Sequence, residues 1–278
     1  MRHAVFLAAL AVAAPACADP ARPAVTGRIE QTQFPSRLVG DTYLILARTP
    51  PDYDPARAYP IVFQLDATNY GNEFELTAGW ASALEASGDI PPTIVVGVGY
   101  PYKNDLPSDR GRWRDYVTTL IDGRPGGAAT FLRFLTEELL PAIDAKYHLD
   151  PALGRTLIGH SLGGYFTLYA LFQTGADSDP PFQRFVAADG SLGDDGGGIL
   201  DFEAALAPRT RSLPRVLSLD IARYDGAVQH LWFDLLRTHL QEHYPDLRLS
   251  ARVLDEDHGG VMAPAFRDGL RYALGGAR

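Results

Sequence analysis

The residues with the strongest chemical implication are Gly159-His160-Ser161-Leu162-Gly163-Gly164. They fit G-x-S-x-G, set between an apolar run, "RTLIGH", and an apolar-periodic run, "LGGYFTLYALF". That context predicts a strand, a sharp turn and a helix, with Ser161 at the turn in a strained backbone conformation. Gly159 and Gly163 lack side chains, so the two chain segments can approach closely. The hydroxyl then projects above the sheet, and the helix N-terminus beneath it favours negative charge. A serine so placed suits attack on an acyl carbon, provided a base takes its proton.

His258 is the best-placed base. It follows the last predicted strand, "LRLSARVLD", in the loop "DEDHGGVMAP" before the closing helix. His148, His230, His239 and His243 read as surface residues, and His160 packs within the turn beside the nucleophile. His239 and His243 stand four apart on one helix face, a spacing that can hold a metal. No third ligand is evident, so no metal is expected. The acid should follow the strand "RVLSLD", in the chain order Ser, acid, His. Asp220 and Asp225 compete for this place; Asp225 is favoured by its position just before the helix that starts near Ala227. Asp255, Glu256 and Asp257 read as a solvated acidic turn. An oxyanion formed on the substrate needs two backbone N–H donors. One is expected from Leu162 and the other from Ala67 or Thr68, after the strand "IVFQLD".

These residues need elements to position them, and the chain alternates strand and helix patterns. Residues 28–48 alternate in polarity and predict two antiparallel edge strands. "IVFQLD" and "IVVGVGY" are short, continuous apolar runs, as a parallel sheet covered on both faces produces. Residues 76–87 predict a helix, and "AATFLRFLTEELLPAIDAKY" an amphipathic one, because Phe131, Phe134, Leu135 and Leu139 recur at helical spacing. "FQRFVAAD" and "RVLSLD" read as strands, "AVQHLWFDLLRTHLQEHY" as a helix and "MAPAFRDGLRYAL" as the closing helix. The alternation predicts an α/β class domain with a mostly parallel central sheet, an antiparallel N-terminal edge and helices on both faces.

Composition agrees with one domain. The chain has 278 residues, 46% hydrophobic, and a formal net charge of −9. No Lys/Arg cluster is present, which argues against nucleic acid as a partner. The first eighteen residues differ in kind: Arg2 and His3, an apolar run from Ala4 to Ala14, then Ala16-Cys17-Ala18. This predicts a signal peptide at 1–18 and a single catalytic domain at 19–278, exported to the periplasm or beyond. The apolar run is too short for a transmembrane span. The single cysteine, Cys17, lies inside that segment. No disulfide, Cys nucleophile or Cys ligand is therefore expected after cleavage.

The chain resembles the putative-esterase family of α/β hydrolases, and within it the siderophore trilactone esterases. The likeness is carried by "FPSRLVGDTYLILARTPPDYDPARAYPIVFQLDAT", "IVVGVGYP", "GGAATFLRFLTEELLPAIDAKYHLDP", "TLIGHSLGGYFTLYALF" and "DHGGVMAPAFRDGLRYAL". Ser161 and His258 sit at the family's nucleophile and base positions. The resemblance implies an α/β-hydrolase fold and hydrolysis of a small-molecule carboxylic ester through an acyl-enzyme, without cofactor or metal. Relatives carry an Arg…Asp-Tyr stretch where this chain has "RWRDY", so Arg112, Arg114 and Tyr116 become candidate substrate contacts. Tyr70, near the oxyanion loop, and His160 join them. The chain departs from the family at Ala67, which stands where Leu-Asp-Gly is usual, at "ADGSLGDDGGG", and in the segment 220–226. Acyl transfer, polysaccharide deacetylation, feruloyl-type hydrolysis and a non-catalytic binding module are the rival readings. Oligomeric state is left open.

Overall fold

The computed structural model describes residues 22–69, 72–101, 109–119, 125–193 and 198–276. Residues 1–18, where a signal peptide is expected, and Tyr70 lie outside the described residues. The strands are β1 (Arg28–Ser36), β2 (Asp41–Thr49), β3 (Ile61–Gln64), β4 (Ile94–Gly99), β5 (Arg155–His160), β6 (Arg184–Ala188), β7 (Val216–Ala222) and β8 (Arg248–Leu254). They form one sheet in the order β1-β2-β4-β3-β5-β6-β7-β8. β1 pairs with β2, and β2 with β4, antiparallel. Every other pairing is parallel. The predicted antiparallel edge and parallel centre are both present.

β3 and β4 are buried at every position, which explains their unbroken apolar sequences. Alternation still decides which face each side chain serves. Ile61, Phe63, Leu157 and Phe185 point into one core with Phe131, Phe166, Phe233 and Leu236. Val62, Ile158 and Val186 point into a second core with Phe74, Leu84, Phe266 and Leu270. The first core holds α3 (Ala128–Arg133), α4 (Leu140–Asp144), α5 (Leu162–Thr174), α6 (Gly198–Leu206) and α7 (Ala227–His243) against the sheet. The second holds α1 (Glu73–Ser87) and α8 (Met262–Leu274). A short helix, α2, spans Asp109–Asp115.

The single amphipathic helix expected over 128–147 is interrupted. Between α3 and α4 the hydrogen-bond register widens to a π-helix over Phe134–Leu139. Pro141 follows within α4. Its missing N–H removes one i→i−4 bond and its ring crowds the preceding turn. The carboxyl ends of β3, β5, β6, β7 and β8 lead into the segments bearing Thr68, Ser161, Asp189, Asp225 and His258. Ligands of α/β sheets bind at that end.

Candidate active site

Ser161 joins β5 to α5 at φ 57° and ψ −124°. A non-glycine residue there is strained by about 1–3 kcal/mol and persists only where its surroundings fix it. The surroundings are specific. The Ser161 N–H donates to the Ala188 carbonyl at 3.1 Å, and its own carbonyl accepts from Tyr165 N–H (2.9 Å) and Ser191 N–H (3.2 Å). A Cβ at Gly159 would stand 2.4 Å from the Gly163 carbonyl oxygen. The turn therefore requires glycine at that position. Ser161 remains partly exposed, with its Oγ 3.4 Å from the Oγ of Ser191.

His258 Nδ1 lies 2.7 Å from Asp189 Oδ2. Asp189 is buried and follows β6 directly, at φ 45°. Its Oδ1 accepts the Ala222 N–H at 3.0 Å, and its own N–H donates to the Asp220 carbonyl at 2.7 Å. The carboxylate is thus aimed by the backbone of β7. The expectation that Asp225 holds the imidazole is corrected here: its Oδ2 stands 4.0 Å from Nδ1, outside hydrogen-bond range. Asp220, the other candidate, is taken by Arg252, which grips both its oxygens at 2.7 and 2.9 Å. Asp225 still feels the site. Burial, then the charge of Asp189, raise its pKa.

His160 packs its ring on His258, with centroids 4.7 Å apart. Its Nε2 is 2.8 Å from the His258 carbonyl oxygen, so that nitrogen carries the proton and donates. Burial, then the nearby His258, push its pKa down to about 4. His160 is therefore neutral at pH 7 and buttresses the base. One donor atom each from His160, Asp189 and His258 lie within 4.8 Å of one another. The two hydrogen bonds just described account for this closeness.

The oxyanion donors follow from the same accounting. Leu162 is the first residue of α5, and N–H groups in a first helical turn have no partner within the helix. Ala67 N–H is committed to the Val98 carbonyl at 3.1 Å. Of the two residues expected after β3, this leaves Thr68 as the candidate donor. Its hydroxyl donates to the Tyr100 carbonyl and accepts the Tyr100 N–H, both at 2.8 Å, so its backbone is pinned to β4's end.

Within "RWRDY", Arg112, Arg114 and Tyr116 are each bonded to other groups of the protein. Arg112 makes two 2.9 Å bonds to the buried Asp66 carboxylate. Tyr116 is wholly buried, and its hydroxyl accepts the Asp66 N–H at 3.0 Å. Arg114 pairs with Asp115 (2.6 Å) and Asp41 (2.9 Å). A buried carboxylate needs such partners, and Asp66 takes Arg112 as its own. Nearby Glu73 is also buried, and burial, then the charge of Asp66, raise its pKa well above the usual range.

Two further clusters lie away from Ser161. Glu203, fully buried on α6, faces Nδ1 of His239 (3.1 Å) and of His243 (2.8 Å). A partner for these histidines was not visible in sequence, because it comes from another helix. A groove of about 820 Å³ between β8 and α8 is lined by Arg248, Arg252, Arg267 and Arg271. Arg252 and Arg267 pair with Asp268, Arg271 pairs with Asp89, and Arg248 caps the Tyr272 carbonyl.

An eight-stranded, mostly parallel sheet carrying a serine on a strained strand–helix turn, with a His–Asp pair at the same sheet end, defines the α/β-hydrolase class. The putative-esterase family profile matches residues 36–176, and the chain belongs to that family. The ferri-bacillibactin esterase BesA of Bacillus subtilis is 33% identical over 176 residues, covering 59% of this chain and 58% of the relative. The siderophore enterobactin esterase of Emericella nidulans is 30% identical over 227 residues, covering 65% and 71%. The crystal structure of BES protein from Bacillus cereus superposes with a TM-score of 0.75 at 26% identity, covering 90% of this chain and 95% of that one. The chain thus aligns with somewhat over half the length of its Bacillus subtilis relative. Among the described residues, no helix is long and apolar enough to cross a membrane.

Proposed function

We propose that this protein hydrolyses a carboxylic ester, with Ser161 as nucleophile, His258 as general base and Asp189 as the acid that orients it. The carrying observation is the 2.7 Å contact between His258 Nδ1 and a buried carboxylate, beside a serine held at φ 57°. With Nδ1–H donated to Asp189, Nε2 is left unprotonated and able to take the Ser161 proton. The Ser161 oxygen then bonds to the acyl carbon, and the carbonyl electron pair moves to oxygen. Leu162 and Thr68 N–H groups stabilise that oxyanion. His258 returns the proton to the departing alcohol. Water, deprotonated by His258, then releases the acid and restores Ser161.

The relatives named above support a siderophore-type ester as substrate class, and the leader at 1–18 supports export. The test is hydrolysis of p-nitrophenyl butyrate, and of a catecholate trilactone, by residues 19–278. The wild type should turn over and Ser161→Ala should lose at least about 10³-fold in kcat. Equal turnover by the two proteins rejects the assignment.

A further inference from the structure

Ser191 is only 6% exposed. Buried side-chain polar atoms are as a rule hydrogen-bonded. Among the described residues, the one partner of the Ser191 hydroxyl is the Ser161 Oγ, 3.4 Å away. A buried hydroxyl is thus committed to the nucleophile itself.

Glycines bring it there. The turn after β6, Asp189-Gly190-Ser191, seats on the first turn of α5. A Cβ at Gly164 would stand 2.9 Å from the Ala188 carbonyl oxygen and 3.0 Å from Gly190 Cα. A Cβ at Gly190 would stand 3.1 Å from Tyr165 N. Both contacts are tighter than side chains normally accept, so glycine at the two positions lets the turn close on the helix. Main-chain bonds then fix it: Ser191 N–H donates to the Ser161 carbonyl at 3.2 Å, and Asp189 N–H to the Asp220 carbonyl at 2.7 Å. One three-residue turn therefore serves both partners of the reaction. Its first residue meets His258, and its third meets Ser161.

The direction of the second contact follows from counting protons. A serine hydroxyl has one proton and two lone pairs. During attack the Ser161 proton passes to His258 Nε2, so it is not available to Ser191. Ser191 is then the donor and Ser161 Oγ the acceptor, with its other lone pair free to bond the acyl carbon. We propose that Ser191 is a second catalytic hydroxyl, which aims the Ser161 Oγ and stabilises the charge on that oxygen as its bond to the acyl carbon forms and breaks. This inference rests on the ester-hydrolase reading. In acylation the C–Oγ bond forms while His258 takes the Ser161 proton. In deacylation that bond breaks and His258 returns a proton to Oγ. Ser191 keeps its own proton throughout. A separation of 3.4 Å is long for an O–H···O bond. Such contacts tighten in the reacting complex, where the acceptor gains charge.

The test measures p-nitrophenyl butyrate hydrolysis, and the rate at which a dialkyl fluorophosphate labels Ser161, in the wild type, Ser191→Ala and Ser191→Thr. Labelling reports attack by Oγ without deacylation. Ser191→Ala should lose about 10- to 100-fold in kcat with KM within about twofold, somewhat less than the loss of an oxyanion donor, because the charge on Oγ is partial. Labelling should slow by a similar factor. Ser191→Thr keeps a hydroxyl and should recover both rates to within about fivefold of wild type. If Ser191→Ala melts early, Ser191→Cys takes its place, with a similar shape and only a weak S–H donor. A kcat within about threefold of wild type in the folded variant overturns the proposal. So does equal impairment of Ser191→Ala and Ser191→Thr when both melt like wild type, since the hydroxyl is then irrelevant. A rise in kcat also overturns it, because Ser191 would be accepting the Ser161 proton and holding the nucleophile back. Each of these leaves the hydrolase reading intact. A wild type that turns over no ester and is not labelled at Ser161 overturns both.

Discussion

Replacing Asp189 by asparagine separates the two carboxylates that face His258. Asp189 Oδ1 accepts the Ala222 N–H and Oδ2 meets His258 Nδ1. In the Asp189→Asn variant the amide carbonyl oxygen should stay on the Ala222 donor, because the opposite flip sets two donors against each other. The amide NH₂ then faces Nδ1 and forces the proton onto Nε2, the nitrogen needed as base. Charge stabilisation is lost as well. At an effective dielectric of about 20, unit charges at Asp189's distance attract by about 6 kcal/mol and at Asp225's by about 4 kcal/mol. The imidazole is nearly half exposed, so solvent screens both, and Asp225 recovers part of the loss. A net barrier increase of about 3–5 kcal/mol, some 10²–10⁴-fold in kcat, is the expectation for Asp189→Asn. Asp225→Asn, which breaks no bond to Nδ1, should cost at most about tenfold. The assay is kcat on p-nitrophenyl butyrate for both variants and the double variant, with melting curves as controls. A larger loss in Asp225→Asn than in Asp189→Asn would restore Asp225 as the acid. Activity within threefold of wild type in the double variant would show that His258 needs neither.

Thr68→Val keeps the backbone donor but removes both hydroxyl bonds to Tyr100, so kcat should fall about 10- to 100-fold with KM little changed. Steady-state kinetics check this, and an unchanged kcat would show that Thr68 does not need the pin. Arg112→Ala removes the guanidinium that makes two hydrogen bonds to the buried Asp66 carboxylate and should destabilise the fold by about 3–5 kcal/mol, measured by urea unfolding. If Arg112→Ala instead melts like wild type and selectively loses anionic substrates, the arginine is a substrate contact after all. His160, with its pKa lowered to about 4, is neutral in the fold at pH values where the unfolded chain binds a proton. Its contribution is complete above about pH 6.5 and is lost as pH falls toward 4, by up to about 3 kcal/mol. His160→Gln should therefore narrow the acid-side loss of Tm between pH 6.5 and 4, and a parallel Tm profile would contradict the assignment.

Much of the fold was legible because its signals are local. The unbroken apolar runs of β3 and β4 announced burial on both faces, and glycines flanking Ser161 announced the turn. That His258 follows the last strand, β8, was also legible. The acid was not. Asp189 and Asp225 both follow buried strands, and only the three-dimensional reach to Nδ1 separates 2.7 from 4.0 Å. A retrospective signal exists: Asp189 follows "RFVAA" at once and precedes Gly190, so it sits at a strand's very end. The bonds of Arg112 and Tyr116 to Asp66 were hidden for a related reason. A charged or aromatic side chain in a loop near the site looks the same in sequence whether it turns outward to substrate or inward to Asp66. Ala67 against Thr68 required knowing which N–H the neighbouring strand had already taken.

The clamp on Asp189 has a consequence for how the protein tolerates change. Its carboxylate is aimed by the N–H of residue 222, and its backbone is held by the carbonyl of residue 220. Both are main-chain groups. Any amino acid but proline at position 222 supplies that donor, and any residue at 220 supplies that acceptor. The alignment of the acid is thus decoupled from side-chain identity on β7. That strand is free to vary in its other duties, such as Asp220's grip on Arg252 at the sheet edge, without turning the acid away from His258.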